Sequence, residues 1–126
     1  MTILLSNQGD EPIYEQVKRQ VKAAVMTGEL SAGVAMPSIR KLAQELGISV
    51  ITTKRAYEEL EREGFISTLA GKGSYVAPQT ADFLHERRLK SVEEKIASAA
   101  AEARAYGISR QEVERMIDIL FGEVEE

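Results

Sequence analysis

The chain has 126 residues, no cysteine, 44% apolar residues and a net charge of −4. This length predicts one domain, or one domain with a small appendage. The absence of cysteine excludes disulfides, thiolate metal sites and a cysteine nucleophile. Because no apolar run reaches about 18 residues and the first residues lack the features of a signal peptide, we expect no membrane span and a cytoplasmic location.

Charge is divided unevenly along the chain. Residues 1–78 carry nine basic and nine acidic side chains, whereas residues 79–126 carry seven and eleven. Net charge therefore gives no support for nucleic-acid binding. Any such argument has to rest on where individual cations lie.

The first helical pattern runs from about Pro12 to Thr27, with apolar residues at helical spacing. Asp10 is the expected N-cap, and Pro12 suits the first turn. Gly28 is a natural stop, and the residues up to Gly33 predict a turn.

Two further helices follow in close succession. Ser38 is the expected cap of a short helix that ends at Gly47. Ser49 is the expected cap of the next helix, which runs to about Glu63. Only residues 47–49 separate these two helices, which is typical of a helix-turn-helix.

Two short strands are predicted after the third helix. Residues 65–69 and 74–77 have strand character and flank a loop with two glycines, so they predict a β-hairpin. Gly71-Lys72-Gly73 is not a phosphate loop, because it lacks the other residues of that motif and precedes a strand.

The remaining residues, 79–126, predict two helices. Ser109 and Glu112 fit a capping box at the start of the second helix, and the acidic end, residues 123–126, is expected to fray. Apolar residues recur at spacings of three and four. These residues, Leu89, Val92, Ile96, Ala99, Ala103 and Tyr106, followed by Val113, Met116, Ile117, Leu120 and Phe121, form a predicted dimerisation face.

This tail is too short to form a core alone. Its 48 residues in two helices have to bury their apolar face against something else. Packing against a second copy is one solution and would give two-fold symmetry. Packing back onto the first domain is the other.

No constellation of residues supports an enzyme or a metal site. The chain has one histidine, His85, and nothing in the sequence places a nucleophile or an orienting partner near it. One histidine and no cysteine leave only carboxylates as metal ligands. We expect no catalytic residue, no metal and no cofactor.

Local charge placement favours DNA binding. Between Gly47 and Tyr57 the chain carries two cations, Lys54 and Arg55, and no acid. The acids of the third helix all lie in its second half, so its first half suits the major groove. From residue 64 to residue 81 the only charge is Lys72, at the hairpin tip. These cations could equally be ordinary solvated side chains.

Several spaced motifs between about residues 11 and 78 closely resemble the winged-helix domain of GntR-family transcription regulators. They are the stretches 12–17 (PIYEQV), 28–30 (GEL), 36–43 (MPSIRKLA), 46–47 (LG), 56–66 (AYEELEREGFI) and 71–76 (GKGSYV). The helical tail is similar to that of the YtrA subfamily, whose members carry a small two-helix dimerisation segment.

The resemblance implies a mainly α fold with a small β-hairpin wing, divided into a winged helix-turn-helix domain at 1–78 (core 11–78) and a helical dimerisation segment at 79–126. It implies a homodimeric repressor that binds a palindromic double-stranded operator, in a transporter operon that includes its own gene. The implied DNA-binding residues are Ser38, Arg40, Ser49, Val50, Ile51, Thr52, Lys54, Arg55, Gly71 and Lys72.

Two points stay open within this interpretation. Val50 and Ile51 stand where relatives often carry polar or basic residues, so they either make apolar contacts, for instance with thymine methyl groups, or only pack. The alternative function is a winged-helix module that binds protein, which the neutral first domain and the acidic end of the third helix would suit. The sequence identifies no effector ligand.

Overall fold

The computed structural model describes residues 1–123, and this part of the chain contains five helices and one antiparallel hairpin. The elements are α1 (Ile13–Met26), α2 (Ile39–Leu46), α3 (Val50–Arg62), β1 (Ile66–Leu69), β2 (Gly73–Val76), α4 (Ala81–Tyr106) and α5 (Arg110–Leu120). The mainly α fold with a hairpin wing is confirmed. The expected fraying concerns residues 123–126, of which residues 124–126 lie outside the described part of the chain. None of the helices within residues 1–123 is long and apolar enough to cross a bilayer.

The helix-turn-helix caps form as the sequence predicts. The amide of Lys41 donates to Ser38 Oγ at 3.1 Å, and the amide of Thr52 donates to Ser49 Oγ at 3.0 Å. Gly47 ends α2 with a φ of 67°, in the left-handed region that residues with a side chain rarely adopt. These three residues therefore set the sharp turn that separates α2 from α3.

The predicted cap of α1 is wrong. Pro12, not Asp10, occupies the N-cap position, and no side chain caps this helix. The Pro12 carbonyl accepts the amide of Gln16 at 3.1 Å, and the side chain of Gln16 holds the carbonyl of Glu11 at 2.9 Å. Asp10 is left two residues before the cap, too far from the free amides of the first turn.

The chain divides into two compact units, Met1–Leu84 and His85–Glu126. In the first unit α1, α2 and β1 all pack against α3. The largest fully buried side chains belong to these elements and to neighbouring positions: Phe65, Leu60, Ile66, Val17, Val21, Val76 and Thr53. The inward stripe of α3 consists of Thr53, Ala56, Tyr57 and Leu60, which are all buried.

A short extended segment, residues 33–36, pairs with β2. Its bonds include the amide of Met36 donating to the Ser74 carbonyl at 2.8 Å and the amide of Val76 donating to the Val34 carbonyl at 2.9 Å. A hydrogen bond of 2.7 Å from Tyr57 Oη to the Pro37 carbonyl then joins the next residue to α3. Hydrogen bonds of residues 33–37 therefore connect the hairpin, the start of α2 and the middle of α3.

The N-terminal segment, residues 1–11, is fastened to α1 by two glutamines. Gln16 exchanges two hydrogen bonds with the backbone of Ser6, and Gln20 exchanges two with the backbone of Leu4. Ile3 is buried in the core, and Leu5 packs against it. An amide side chain matches a backbone peptide group in donors and acceptors, so each glutamine acts as a strand neighbour would.

The second unit contains α4 from His85 onward and α5. Ser109 Oγ accepts the amide of Glu112 at 3.1 Å, which confirms the predicted cap of α5, while Glu112 Oε1 lies 3.3 Å from Ser109 Oγ rather than on its backbone amide. Within the described residues, α4 and α5 do not pack extensively along each other, and between His85 and Glu123 only Ala103 is buried. This unit therefore has no core of its own.

Candidate nucleic-acid interface

The tip of α3 presents a mixed polar and apolar surface. Ser49 Oγ donates to Thr52 Oγ1 at 2.7 Å, and the hydroxyl of Thr53 turns inward to the Ser49 carbonyl at 3.1 Å. Val50 and Ile51 are 44% and 81% exposed. Packing inside this chain therefore does not account for these two apolar side chains.

Two cations follow on the outer face of α3, where the sequence places them. Lys54 and Arg55 are both exposed. The Arg55 guanidinium carbon lies 3.8 Å from the centroid of the Tyr14 ring, and its Nε lies 3.3 Å from Glu59 Oε2. Stacking on an aromatic face leaves the edge of a guanidinium free to donate. Arg55 is therefore held in place more firmly than a solvated arginine would be.

The acids in the second half of α3 are partly neutralised from α1. Lys18 Nζ lies 2.9 Å from Glu59 Oε1 and 3.2 Å from Glu63 Oε2, and Lys22 Nζ lies 2.8 Å from Glu63 Oε1. The hydrogen bond from Lys18 lowers the pKa of Glu59. Burial would raise the pKa of Glu63, but the hydrogen bonds and charges of Lys22 and Lys18 together outweigh it, so that pKa is lowered as well. Both side chains are therefore ionised and pair with lysines of α1, so they contribute to the packing of α1 against α3.

The wing tip is a tight turn. The amide of Lys72 donates to the Leu69 carbonyl at 2.9 Å, and Gly71, the third residue of this turn, has a φ of 74°. A positive φ at that position is the requirement of a type II turn, which favours glycine there. The Tyr75 hydroxyl donates to the Lys72 carbonyl at 2.8 Å, and the Lys72 side chain is exposed.

The second helix contributes the remaining predicted residues. Ser38 and Arg40 are both exposed at the start of α2. The Tyr57–Pro37 hydrogen bond and the paired segment 33–36 join this start to α3 and to β2. The three elements that carry the sequence-predicted residues are therefore parts of one rigid frame.

The supporting residues were not predicted. Tyr14 stacks on Arg55, 41 positions further along the chain, and Tyr75 anchors the carbonyl of Lys72. Neither contact has a local sequence signal, because each depends on how the elements fold together. The nearest hint was that Tyr14 and Tyr75 both lie within the stretches that carry the GntR resemblance.

In the second unit most of the predicted dimerisation face is exposed. The exposed large apolar members are Leu89, Val92, Ile96, Tyr106, Met116, Ile117, Leu120 and Phe121. Ala99 is exposed as well, and Val113 is half-buried. Ala103 differs, since it is buried beside the turn, where its carbonyl accepts the amide of Ile108 at 2.8 Å. That position is already covered by its own chain.

Comparison with known proteins decides the family. The model of the bacterial regulatory proteins of the gntR family matches residues 13–76, from the start of α1 to the end of the wing. The chain belongs to the GntR family. It is similar to the HTH-type transcriptional repressor YtrA of Bacillus subtilis (strain 168), with 30% identity over 122 residues that cover 97% of this chain and 94% of that protein.

The chain is also similar to solved structures of other proteins. A transcriptional antiterminator from Listeria monocytogenes EGD-e has a TM-score of 0.77 and 29% identity, over 95% of this chain and 90% of the other. AraR(DBD) in complex with operator ORX1 has a TM-score of 0.54 and 25% identity, over 61% of this chain and 96% of the other. This GntR-family chain is a transcription regulator with a DNA-binding winged-helix domain and a YtrA-like helical tail.

Proposed function

We propose that this regulator is a homodimeric repressor whose two winged helices bind the half-sites of a palindromic operator. The observation that carries the proposal is the exposed apolar face of α4 and α5, attached to a DNA-binding unit. An apolar face of this size favours burial against a partner. A second copy offers the same face, and a two-fold contact between identical surfaces closes at the dimer.

The DNA contacts follow from the exposed residues of the first unit. Thr52 and Arg55 at the start of α3 enter the major groove, while Lys54 and Arg40 reach base edges or phosphates beside it. Lys72 at the wing tip contacts the backbone, where the glycine before it permits a close approach. Ser38, Ser49, Val50, Ile51 and Gly71 complete the proposed interface.

Dimerisation raises affinity as well as setting symmetry. One winged helix makes few contacts, but a second one linked to it binds at high effective concentration. The half-site spacing is then set by the dimer and must suit successive turns of the duplex. On the resemblance to its family, we place the operator ahead of a transporter operon that includes the protein's own gene.

One of the two supports of the protein-binding alternative is weakened. This alternative rests on the neutral charge of the first domain and on the acidic second half of α3, and in that half Glu59 and Glu63 are paired with Lys18 and Lys22 of α1. The acidic surface that a basic partner would recognise is thereby reduced to the remaining acids of that helix.

Footprinting of the full chain on the DNA upstream of its own operon tests the proposal. We expect two protected half-sites related by two-fold symmetry, and a complex that contains two copies of the protein by light scattering. Equal affinity for that DNA and for a scrambled duplex at moderate salt, or a single protected half-site bound by one copy, would contradict it.

A further inference from the structure

The hydroxyl groups at the tip of α3 have a fixed hydrogen-bond polarity. Ser49 Oγ accepts the amide of Thr52 at 3.0 Å and donates its only proton to Thr52 Oγ1 at 2.7 Å. The proton of the Thr52 hydroxyl is therefore not used in this pair. Within residues 1–123 it is given to no other protein group, so Thr52 offers a hydrogen-bond donor to the outside.

The residue before this donor carries an exposed apolar side chain. Ile51, the residue before Thr52, is 81% exposed, and Val50 is 44% exposed. Exposing a large aliphatic side chain to water is unfavourable, and its contact with an apolar group lowers the free energy. The tip thus presents a donor and an aliphatic surface on consecutive residues.

One base edge matches this combination in the major groove. Thymine shows the O4 acceptor next to the C5 methyl group, whereas cytosine shows a donor and neither purine carries a methyl group. We propose that Ile51 and Thr52 read a thymine in each half-site, with Thr52 donating to O4 and Ile51 covering the methyl group. This inference rests on the proposed function.

Two modified bases separate the two contacts. Deoxyuridine keeps the O4 acceptor and lacks the methyl group. 5-Methyldeoxycytidine keeps the methyl group and replaces the acceptor with an amino donor. Each substitution therefore removes one half of the proposed recognition and leaves the other half in place.

The experiment uses the full chain and a library of random duplexes. Sequences are selected by binding, and each thymine of the enriched site is then replaced in turn by deoxyuridine opposite adenine or by 5-methyldeoxycytidine opposite guanine, so that every duplex stays fully paired. We expect one thymine per half-site at which deoxyuridine weakens binding about fourfold, the value of one buried methyl group. We expect 5-methyldeoxycytidine to weaken binding there by at least fivefold, the value of about one hydrogen bond.

Three variants assign the contacts to their residues. Ile51→Ala should bind the thymine and deoxyuridine sites equally well. Because Ile51 is exposed, this substitution should leave the fold intact. Thr52→Val should lose most of the discrimination against 5-methyldeoxycytidine, while Thr52→Ser, which retains the hydroxyl, should keep it.

The failures of the two proposals are distinguishable. An enriched site at which no thymine responds to deoxyuridine, or an unchanged response in Ile51→Ala, overturns the thymine inference and leaves DNA binding intact. Discrimination by Thr52→Val equal to that of the unmodified protein overturns the role of its hydroxyl. A selection that enriches no sequence overturns the proposed function, and the inference with it.

Discussion

Lys18 of α1 and Glu59 of α3 form an ion pair with 2.9 Å between Nζ and Oε1, and both side chains are largely buried. The second oxygen of the same carboxylate lies 3.3 Å from Nε of Arg55, whose guanidinium stacks on Tyr14. Burial would lower the pKa of Lys18, but its hydrogen bonds to Glu59 and Glu63 raise it. One carboxylate therefore joins the packing of α1 to a cation of the proposed DNA-binding surface.

Replacing Glu59 should weaken the fold and change its response to acid. Glu59→Gln leaves Lys18 with Glu63 and Glu15, so we expect a loss of about 1 kcal/mol in the free energy of unfolding. The folded-state pKa of Glu59 lies below its ordinary value of 4.5. Its stabilisation is therefore complete above that value and is lost as the pH falls through the lowered pKa.

Urea unfolding between pH 7 and pH 3 measures both effects. The variant should lose less stability on acidification than the unmodified protein. Glu58→Gln, an exposed neighbour with the same change of charge, is the matched control and should behave like the unmodified protein. Equal acid sensitivity in the Glu59 variant and the unmodified protein would show that the pair does not contribute to stability.

Removing the charge at the wing tip should weaken binding to all DNA sequences. Lys72 is exposed, and Tyr75 fixes its backbone carbonyl while the charged side chain stays in solvent. Lys72→Ala should lower affinity for operator and random DNA by similar factors. It should also reduce the slope of log affinity against log salt by about 0.9 for each lost phosphate contact. Fluorescence anisotropy over a salt series measures this.

The matched control for the wing is Lys90→Ala, another exposed lysine, in α4. Its salt slope should match that of the unmodified protein. If Lys72→Ala weakened binding to the operator alone, with an unchanged slope, Lys72 would be a base contact rather than a phosphate contact.

Loss of the Tyr57 hydroxyl should loosen the link between α2 and α3. This hydroxyl donates to the Pro37 carbonyl at 2.7 Å, and burial raises the pKa of Tyr57 to about 12. Tyr57→Phe leaves that carbonyl without its partner, so we expect about 1–2 kcal/mol less stability by urea unfolding. Tyr75→Phe, which removes an exposed hydrogen bond to the Lys72 carbonyl, should cost less. Equal stability of both variants would mean that water replaces the bond at no cost.

A charge in the exposed apolar face should separate the dimer. Ile96 is 56% exposed in the single chain and belongs to the predicted dimerisation face. Ile96→Glu would bury two unpaired carboxylates in a dimer, and the proposed dimer should dissociate to monomers by analytical ultracentrifugation. Operator affinity should then fall at least about 100-fold, because the two half-sites are no longer bound together.

Ser98→Glu adds the same charge two residues away, at a position outside the predicted dimerisation face. It should leave the dimer and the operator affinity unchanged. A monomeric Ser98→Glu variant, or a dimeric Ile96→Glu variant, would place the contact between copies elsewhere on the molecule.

Local sequence signals predicted most of the fold. Ser38, Gly47 and Ser49 set the helix-turn-helix by chemistry that acts within three or four residues, and the glycines of the wing do the same for the hairpin. Lys54 and Lys72 are exposed where the sequence analysis places them, in the first half of α3 and at the hairpin tip. These features depend only on residues close together in the chain.

Features that depend on distant residues could not be predicted in this way. The stacking of Tyr14 on Arg55 and the pairing of Lys18 with Glu59 both join α1 to α3 across about 41 positions. The N-cap of α1 differs from the prediction because the side chain of Gln16 also bonds the carbonyl of Ser6, which lies in the segment before the helix. Periodicity identifies which face is buried but not which polar groups meet across it.

The attachment of residues 3–6 to α1 has a practical consequence for dissecting this protein. A fragment trimmed to residues 13–76, the bounds of the family match, would lack Ile3 of the core. The side-chain amide of Gln16 would also lose its partners in the backbone of Ser6 and Glu11. An independently folding DNA-binding fragment should therefore keep residues 1–12, and affinity tags are better attached at its carboxyl end.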